Sequence, residues 1–354
     1  MQLFRMLISV ALALVALPSV GAAAPALPVW DDFSSGFTVG PIGSSAKWFY
    51  FGTPDGAFVG DDANTFTAHG TLTVVPKGTN PGTHLPAFSK TVAQEQTSGL
   101  PGGLDHVKWL VYMNHLSSSG VPGFDAPLGQ KLVCQTTLGG VTSGTSNHPF
   151  GSAVADSQDD LRLASLALNA IDFETYMVFD VFYTNKRIYA LYEHLPFGRA
   201  SMGGPFGEYA AFTYAIPIQT RTPGDFHTVA VAYDRAAGVV SWMVDGQEKF
   251  RVNNPGFRMG RANLVLDHGG TEQSFAPRQL DCGMGLFTLL DGHGAQNKGL
   301  AELSTMPNFY FNPTVGAPTP EVFVDQRSLQ SSRLFGQGAI LTALRPSVGT
   351  TAAP

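Results

Sequence analysis

Along most of this chain, apolar and polar residues alternate in short runs broken by Gly, Pro, Asn and Asp. No segment keeps a 3.6-residue apolar period for more than about three turns, so the pattern predicts antiparallel strands rather than helices. Early strands are predicted at residues 48–51, 65–75 and 107–113. In the last of these, Val107, Trp109, Val111 and Met113 alternate with Lys108, Leu110 and Tyr112, which puts the two sets on opposite faces. Long loops are expected at 117–128 and 139–157, which are rich in Gly, Pro, Ser and Asn. Residues 159–171 fit an irregular strand or one short helix, and strand is the preferred reading.

Two hairpins stand out. Residues 176–183 are almost wholly apolar or aromatic, which means burial on both faces. After a Thr184-Asn185-Lys186 turn, residues 187–193 alternate: Arg187, Tyr189, Leu191 and Glu193 share one face, while Ile188, Ala190 and Tyr192 share the other. The second hairpin begins Phe226-His227-Thr228-Val229-Ala230-Val231-Ala232-Tyr233-Asp234. It turns at Gly238, and Val239-Val240-Ser241-Trp242-Met243-Val244 leads to a tight Asp245-Gly246 turn. This text resembles the signature of laminin G-like, pentraxin-like and glucanase-like jelly rolls. The resemblance implies an all-β, concanavalin A-like sandwich of two antiparallel sheets, and by itself implies no function.

Composition agrees with a large β core, since 44% of residues are hydrophobic, 25 are Phe, and 40 Gly with 24 Pro supply turns. A start containing Arg5, an apolar run over residues 6–17, Pro18 and the small residues Gly21-Ala22-Ala23-Ala24 reads as a signal peptide over residues 1–23. The apolar run falls short of the roughly 20 residues that span a bilayer. Secretion, or residence in the secretory lumen, is therefore expected, with no membrane partner. The remaining residues are expected to form one domain over 24–345, with a disordered tail at 346–354. Only 14% of residues are charged and the net charge is -6 without a basic cluster, which excludes nucleic acid as a partner. Cys134 and Cys282 would be bridged in an oxidising compartment if the fold brings them close. Otherwise they are two separate buried thiols.

For chemistry, the sandwich first suggests a glucanase. A retaining glucanase of this fold needs two glutamates on one strand face, in a Glu-x-Asp-x-x-Glu run. The nearest text, Asp172-Phe173-Glu174, lacks the second glutamate. Asp180 and Glu193 could pair across the first hairpin. The densest polar and aromatic block runs from Asp180 to Arg199 and suits an apolar pocket with a few placed donors. Its plainer reading is a packed sheet with a Glu193–Arg199 salt bridge. Trp109 and Trp242 could stack on a ring or belong to the core. Asp267-His268-Gly269-Gly270 and Asp291-Gly292-His293-Gly294 look like exposed loops that could supply a proton-transfer histidine or a calcium-binding carboxylate, or be plain turns. The other histidines, His106 among them, are scattered without HxH or HExxH spacing, so no metal is expected. No G-x-S-x-G elbow supports an esterase.

The early Trp30-Asp31-Asp32-Phe33-Ser34-Ser35-Gly36-Phe37, the Tyr183 to Arg199 block and the second hairpin together resemble the hetero-Diels-Alderases of fungal tropolone-sesquiterpenoid pathways. That resemblance implies a cofactor-free cyclase joining a quinone methide to a terpenoid alkene, with a hydrophobic small molecule as partner. Such catalysis needs only positioning, hydrogen-bond donors and a dry pocket. On this reading Tyr183, Arg187 and Tyr189 are the donor candidates. Trp109, Asp180, Phe182, Tyr192, Glu193 and Trp242 would bind the substrate. The alternative is a secreted lectin-like glycan-binding protein or a glycoside hydrolase of the same fold.

Overall fold

The computed structural model describes residues 26–294, 297–313 and 318–353, so the signal peptide expected at 1–23 lies outside the described residues. The chain folds as two antiparallel sheets of nine and seven strands. From edge to edge, the first sheet runs Trp48–Tyr50, Val107–Met113, Gln279–Phe287, Ser165–Ile171, Met177–Tyr183, Arg187–His194, Phe212–Thr220 and Leu264–Asp267, with Phe124–Asp125 added beside Gln279–Phe287. The second runs Gln247–Asn253, Val239–Val244, His227–Asp234, Gln130–Ser143, Gly338–Ala352, Thr71–Pro76 and Ala63–Ala68. This is the expected jelly-roll sandwich.

Strand alternation builds the core. Trp109, Val111, Phe179, Val181, Tyr183, Ala190 and Tyr192 of the first sheet meet Val229, Val231, Tyr233 and Trp242 of the second in one buried cluster. Between the sheets, Cys134 and Cys282 form a disulfide with Cα atoms 5.6 Å apart. The Trp242 indole N–H crosses the interface to donate to the Asp180 backbone carbonyl at 2.8 Å. Every residue of Met177–Tyr183 is buried, as its almost wholly apolar text requires.

Three expectations change. Residues 65–75 are two strands, because His69 and Gly70 both take positive φ (51° and 75°) and turn the chain back on itself. That pair of angles makes a tight hairpin turn. Residues 139–143, read as loop, continue the Gln130–Ser143 strand. Gly140 permits this close pairing, since a Cβ there would lie 2.2 Å from the Ile340 carbonyl oxygen. The tail at 346–352 is ordered strand rather than disordered, as Val348 pairs with Cys134 and Thr350 with Leu132. Its Ser, Gly and Thr text lacks strong alternation, and pairing with two neighbours supplies the order that local propensity does not.

Buried Asp281 has no hydrogen-bond partner on either carboxyl oxygen, and burial pushes its pKa well above the ordinary 3.8. A raised carboxyl contributes stability that is fully present below the unfolded pKa and is lost as pH rises through the folded one. Asp281→Asn should therefore gain on the parent protein as pH climbs from about 4 to 7, reaching about 1–3 kcal/mol. Urea unfolding at several pH values checks this. A gap that stays flat or shrinks with pH would contradict it.

Candidate functional site

The outer face of the first sheet, turned away from the second, is also apolar, and loops roof it over. Leu110, Ile171, Val178, Phe182, Leu191 and Phe287 form an apolar floor. The segment from Glu95 to His106, the Leu195–Phe197 turn and Met202, Leu289, Asp291 and Phe309 complete a pocket of about 900 Å³ with its mouth included. Alternation explains the floor: Val178, Asp180 and Phe182 point out, whereas Phe179, Val181 and Tyr183 point into the core.

Polar groups sit at two places on this surface. At one wall, His106 Nε2 lies 2.6 Å from Asp291 Oδ1, and the Tyr310 hydroxyl donates to Asp291 Oδ2 at 2.7 Å. Burial pulls His106 down, but the charge and hydrogen bond of Asp291 push it further up, so its pKa ends above the ordinary 6.5. For Asp291, burial raises the carboxyl, yet His106 and the Tyr310 hydroxyl lower it below its usual range. The two shifts agree on an imidazolium–carboxylate pair facing the pocket. Glu193 also lines this pocket, and burial raises its carboxyl despite the Thr213 hydroxyl that donates to it.

On the floor, Asp180 Oδ1 accepts the Ala170 N–H at 2.9 Å and Oδ2 accepts from Asn169 Nδ2 at 2.6 Å. Burial nonetheless holds Asp180 well above its usual range, and the charge of Glu193 adds to the rise. The register pairs Val178 with Glu193 and Asp180 with Leu191, so Asp180 and Glu193 are diagonal neighbours on one face. His268 lines the pocket as well. Burial takes its pKa down to about 4, while its Nδ1 lies 2.9 Å from the Phe309 carbonyl. Among the described residues, no group of three or more His, Cys, Asp or Glu is placed to hold a metal ion.

Of the residues singled out in the sequence, Asp180, Phe182 and Glu193 line the pocket. Trp109, Tyr183, Tyr192 and Trp242 do not, because their strand positions turn them into the inter-sheet core, where all four are fully buried. Tyr189 is on the outer face but lies at the far end of its strand, donating to Asp159 at 2.8 Å. Exposed Arg187 pairs with the same Asp159 at 3.2 Å. The donor trio proposed from the resemblance is thus absent from the pocket. Arg199 does not bridge to Glu193; it donates to the carbonyls of Tyr209, His268 and Gly269. Asp267, His268, Asp291 and His293 are buried rather than exposed. The sequence presents Asp291 only as part of an exposed loop and His106 only as one of the scattered histidines, Tyr310 and Asn169 carry no reading there, and His106 and Asp291 meet across 185 residues of chain. No local spacing could have paired them.

Tyr183 tests the reassignment. Its buried hydroxyl has no partner, and burial raises its pKa while Arg221 beside the ring offsets part of the rise. Tyr183→Phe should leave thermal stability unchanged or raise it by up to about 1 kcal/mol. A clear loss on calorimetry would show that the hydroxyl is engaged.

The model of a family of unknown function (DUF6081) matches residues 30–352. The chain belongs to this family. It is similar to the uncharacterized protein L829 of Acanthamoeba polyphaga mimivirus, with 29% identity over 248 residues, covering 55% of this chain and 56% of that protein. The chain thus spans little more than half the length of this curated relative. Among solved structures, it is similar to an endo-1,3-beta-glucanase from Streptomyces sioyaensis at 11% identity, covering 94% of this chain and 100% of that one, with a TM-score of 0.40. It is also similar to the alginate lyase A1-II', a member of polysaccharide lyase family-7, at 10% identity over 82% of this chain and 84% of that one, TM-score 0.37. A sialidase aligns at 10% identity over 93% of this chain and 19% of its own, TM-score 0.38. Likeness at this level carries no argument about ligand or reaction.

Proposed function

We propose that this family member is an enzyme that takes a small, largely apolar molecule into the outer-face pocket and moves a proton on it. The observation that carries this reading is the Tyr310–Asp291–His106 relay, which presents a protonated imidazole beside Glu193 at the wall of an apolar cavity. A histidine cation held by a buried carboxylate can donate to an oxygen that gains charge, and Glu193 can accept a proton once ionised. Burial strengthens both interactions, because water does not screen them. Cycloaddition without proton transfer is the weaker reading, since Tyr183, Arg187 and Tyr189 all lie off the pocket. We place the enzyme in an oxidising compartment, and the Cys134–Cys282 bridge supports that location.

A second reading, cleavage of a neutral glycan, is favoured by one observation: Asp180 and Glu193 share a face on adjacent strands of the pocket. In that chemistry two carboxyl groups act as acid and as nucleophile or base. Purified protein and His106→Gln, each incubated with β-1,3-glucan, alginate and a panel of apolar hydroxy and carbonyl compounds, test both readings by mass spectrometry and reducing-end release. Conversion of a small apolar compound that stops in His106→Gln supports the proposal. New reducing ends that persist in His106→Gln but vanish in Glu193→Gln would favour glycan cleavage, and His106→Gln turning over at the parent rate would end the relay's catalytic role.

A further inference from the structure

The pocket's polar lining is one-sided. Among the described residues lining it, there is no Lys or Arg, while Glu95, Asp180, Glu193 and Asp291 all contribute carboxyl groups. Asp291 is matched by His106. Glu95 is occupied by the Gly102 N–H and the Ser304 hydroxyl. Asp180 therefore faces the cavity with no cation in contact, and Glu193 feels only the charge of His106 at the wall, with no ion pair of its own. Beside them, the buried Asn169 Oδ1 has no hydrogen-bond partner, although its amide nitrogen is engaged with Asp180. An orphaned acceptor in an apolar cavity costs free energy unless a ligand fills it.

These acceptors lie on adjoining strands. Asn169 and Asp180 touch across the Ser165–Ile171 and Met177–Tyr183 pair, and Glu193 is the diagonal neighbour of Asp180 on the next strand. Each retains capacity. Asp180 accepts one bond on each oxygen, while a carboxylate has about four acceptor positions. Glu193 takes the Thr213 hydroxyl on Oε1 only.

We propose that this floor is the subsite for a primary ammonium group carried on an apolar body, with Asn169 Oδ1, Asp180 and Glu193 as its three acceptors. An ammonium has three N–H donors and no acceptor, which matches a floor that offers acceptors without a cation. The apolar body would lie on Phe182, Leu191 and Phe287. Burial raises the Asp180 carboxyl well above its ordinary range, which favours the protonated form in the empty pocket. When the ammonium arrives, the Asp180 O–H proton leaves to solvent, and the resulting carboxylate pairs with the cation. An anionic ligand finds no Lys or Arg among the described lining residues and faces the Asp180 and Glu193 carboxyl groups, and an alcohol of the same shape gains hydrogen bonds but no charge pairing. This inference rests on the pocket being the ligand site of the proposed function, and names the ligand that site prefers.

The test is an NMR titration of the full chain with n-hexylamine, n-hexanol and n-hexanoate at neutral pH. Hexylamine is expected to bind about tenfold more tightly than hexanol, with hexanoate weakest. The Asp180 carboxyl carbon resonance should move toward its ionised position with hexylamine alone. In Asp180→Asn the preference for the amine should disappear, while hexanol affinity stays within about twofold and confirms an intact pocket. Hexanol or hexanoate matching the amine, an unmoved Asp180 resonance, a preference that survives in Asp180→Asn, or no binding of the three probes would each overturn the proposal. His106→Gln should keep the amine preference, so failure of the proton-transfer reading and failure of this one are told apart.

Discussion

His106→Gln is expected to reduce turnover of the enzyme's substrate by about 10²–10⁴-fold while leaving the fold intact, the usual span for losing a positioned proton donor. Gln can fill the space and hydrogen-bond to Asp291, but it carries no titrating proton. The dependence on pH carries a further signature. Glu193 must be ionised and His106 protonated, and both pKa values are raised above their ordinary 4.5 and 6.5. Activity should thus rise with pH through the raised Glu193 value and fall through the raised His106 value, giving a bell whose two limbs both sit higher than those of free side chains. Asp291→Asn removes the largest charge that lifts His106 and leaves burial opposed only by Glu193 and Asp105, so the His106 pKa should fall and the alkaline limb should move down with it. The His106 ring carbon resonance, followed by NMR against pH in parent and Asp291→Asn, reads this without any substrate. An unchanged His106 midpoint would remove the relay from the mechanism.

Opening the disulfide should produce the largest loss of stability. The bridge joins residues 148 apart in sequence, and a cross-link closing a loop that long restricts the unfolded chain by about 5 kcal/mol in the chain-entropy account. Native contacts add to this, since Cys134 and Cys282 are both fully buried between the sheets. The double replacement of Cys134 and Cys282 by Ala is therefore expected to lower unfolding free energy by several kcal/mol, with the same spectroscopic signature for the folded state. Guanidinium denaturation of parent, reduced parent and the double variant measures it. A loss under about 1 kcal/mol would mean that packing alone holds the sheets together.

The two hairpins were legible because local text fixes them. Apolar residues at every position of 177–183 except Asp180 require two covered faces, and Asp245-Gly246 supplies positive φ at both turn positions. The orientation of single aromatics was less so. Tyr189 and Tyr192 differ by three positions on one strand, which puts one outside and the other in the core, and which face becomes the pocket is decided only when the second sheet packs. Asp180, Phe182 and Glu193 line the pocket because they share the outward parity. The relay was out of reach: Asp291 lies in Gly-rich text that reads as an exposed turn, and its burial comes from the loops that fold over it.

The strand Gly338–Ala352 sits in the interior of the second sheet, hydrogen-bonded on one side to Gln130–Ser143 and on the other to Thr71–Pro76. The Ala63–Ala68 and Thr71–Pro76 hairpin consequently reaches the rest of its sheet through a strand far along the chain. Contacts between such distant parts of the chain slow folding, because loop closure must be paid before pairing rewards it. The sandwich is therefore closed by a pairing between its earliest hairpin and a strand far along the chain, and the second sheet stays in two pieces until that pairing forms.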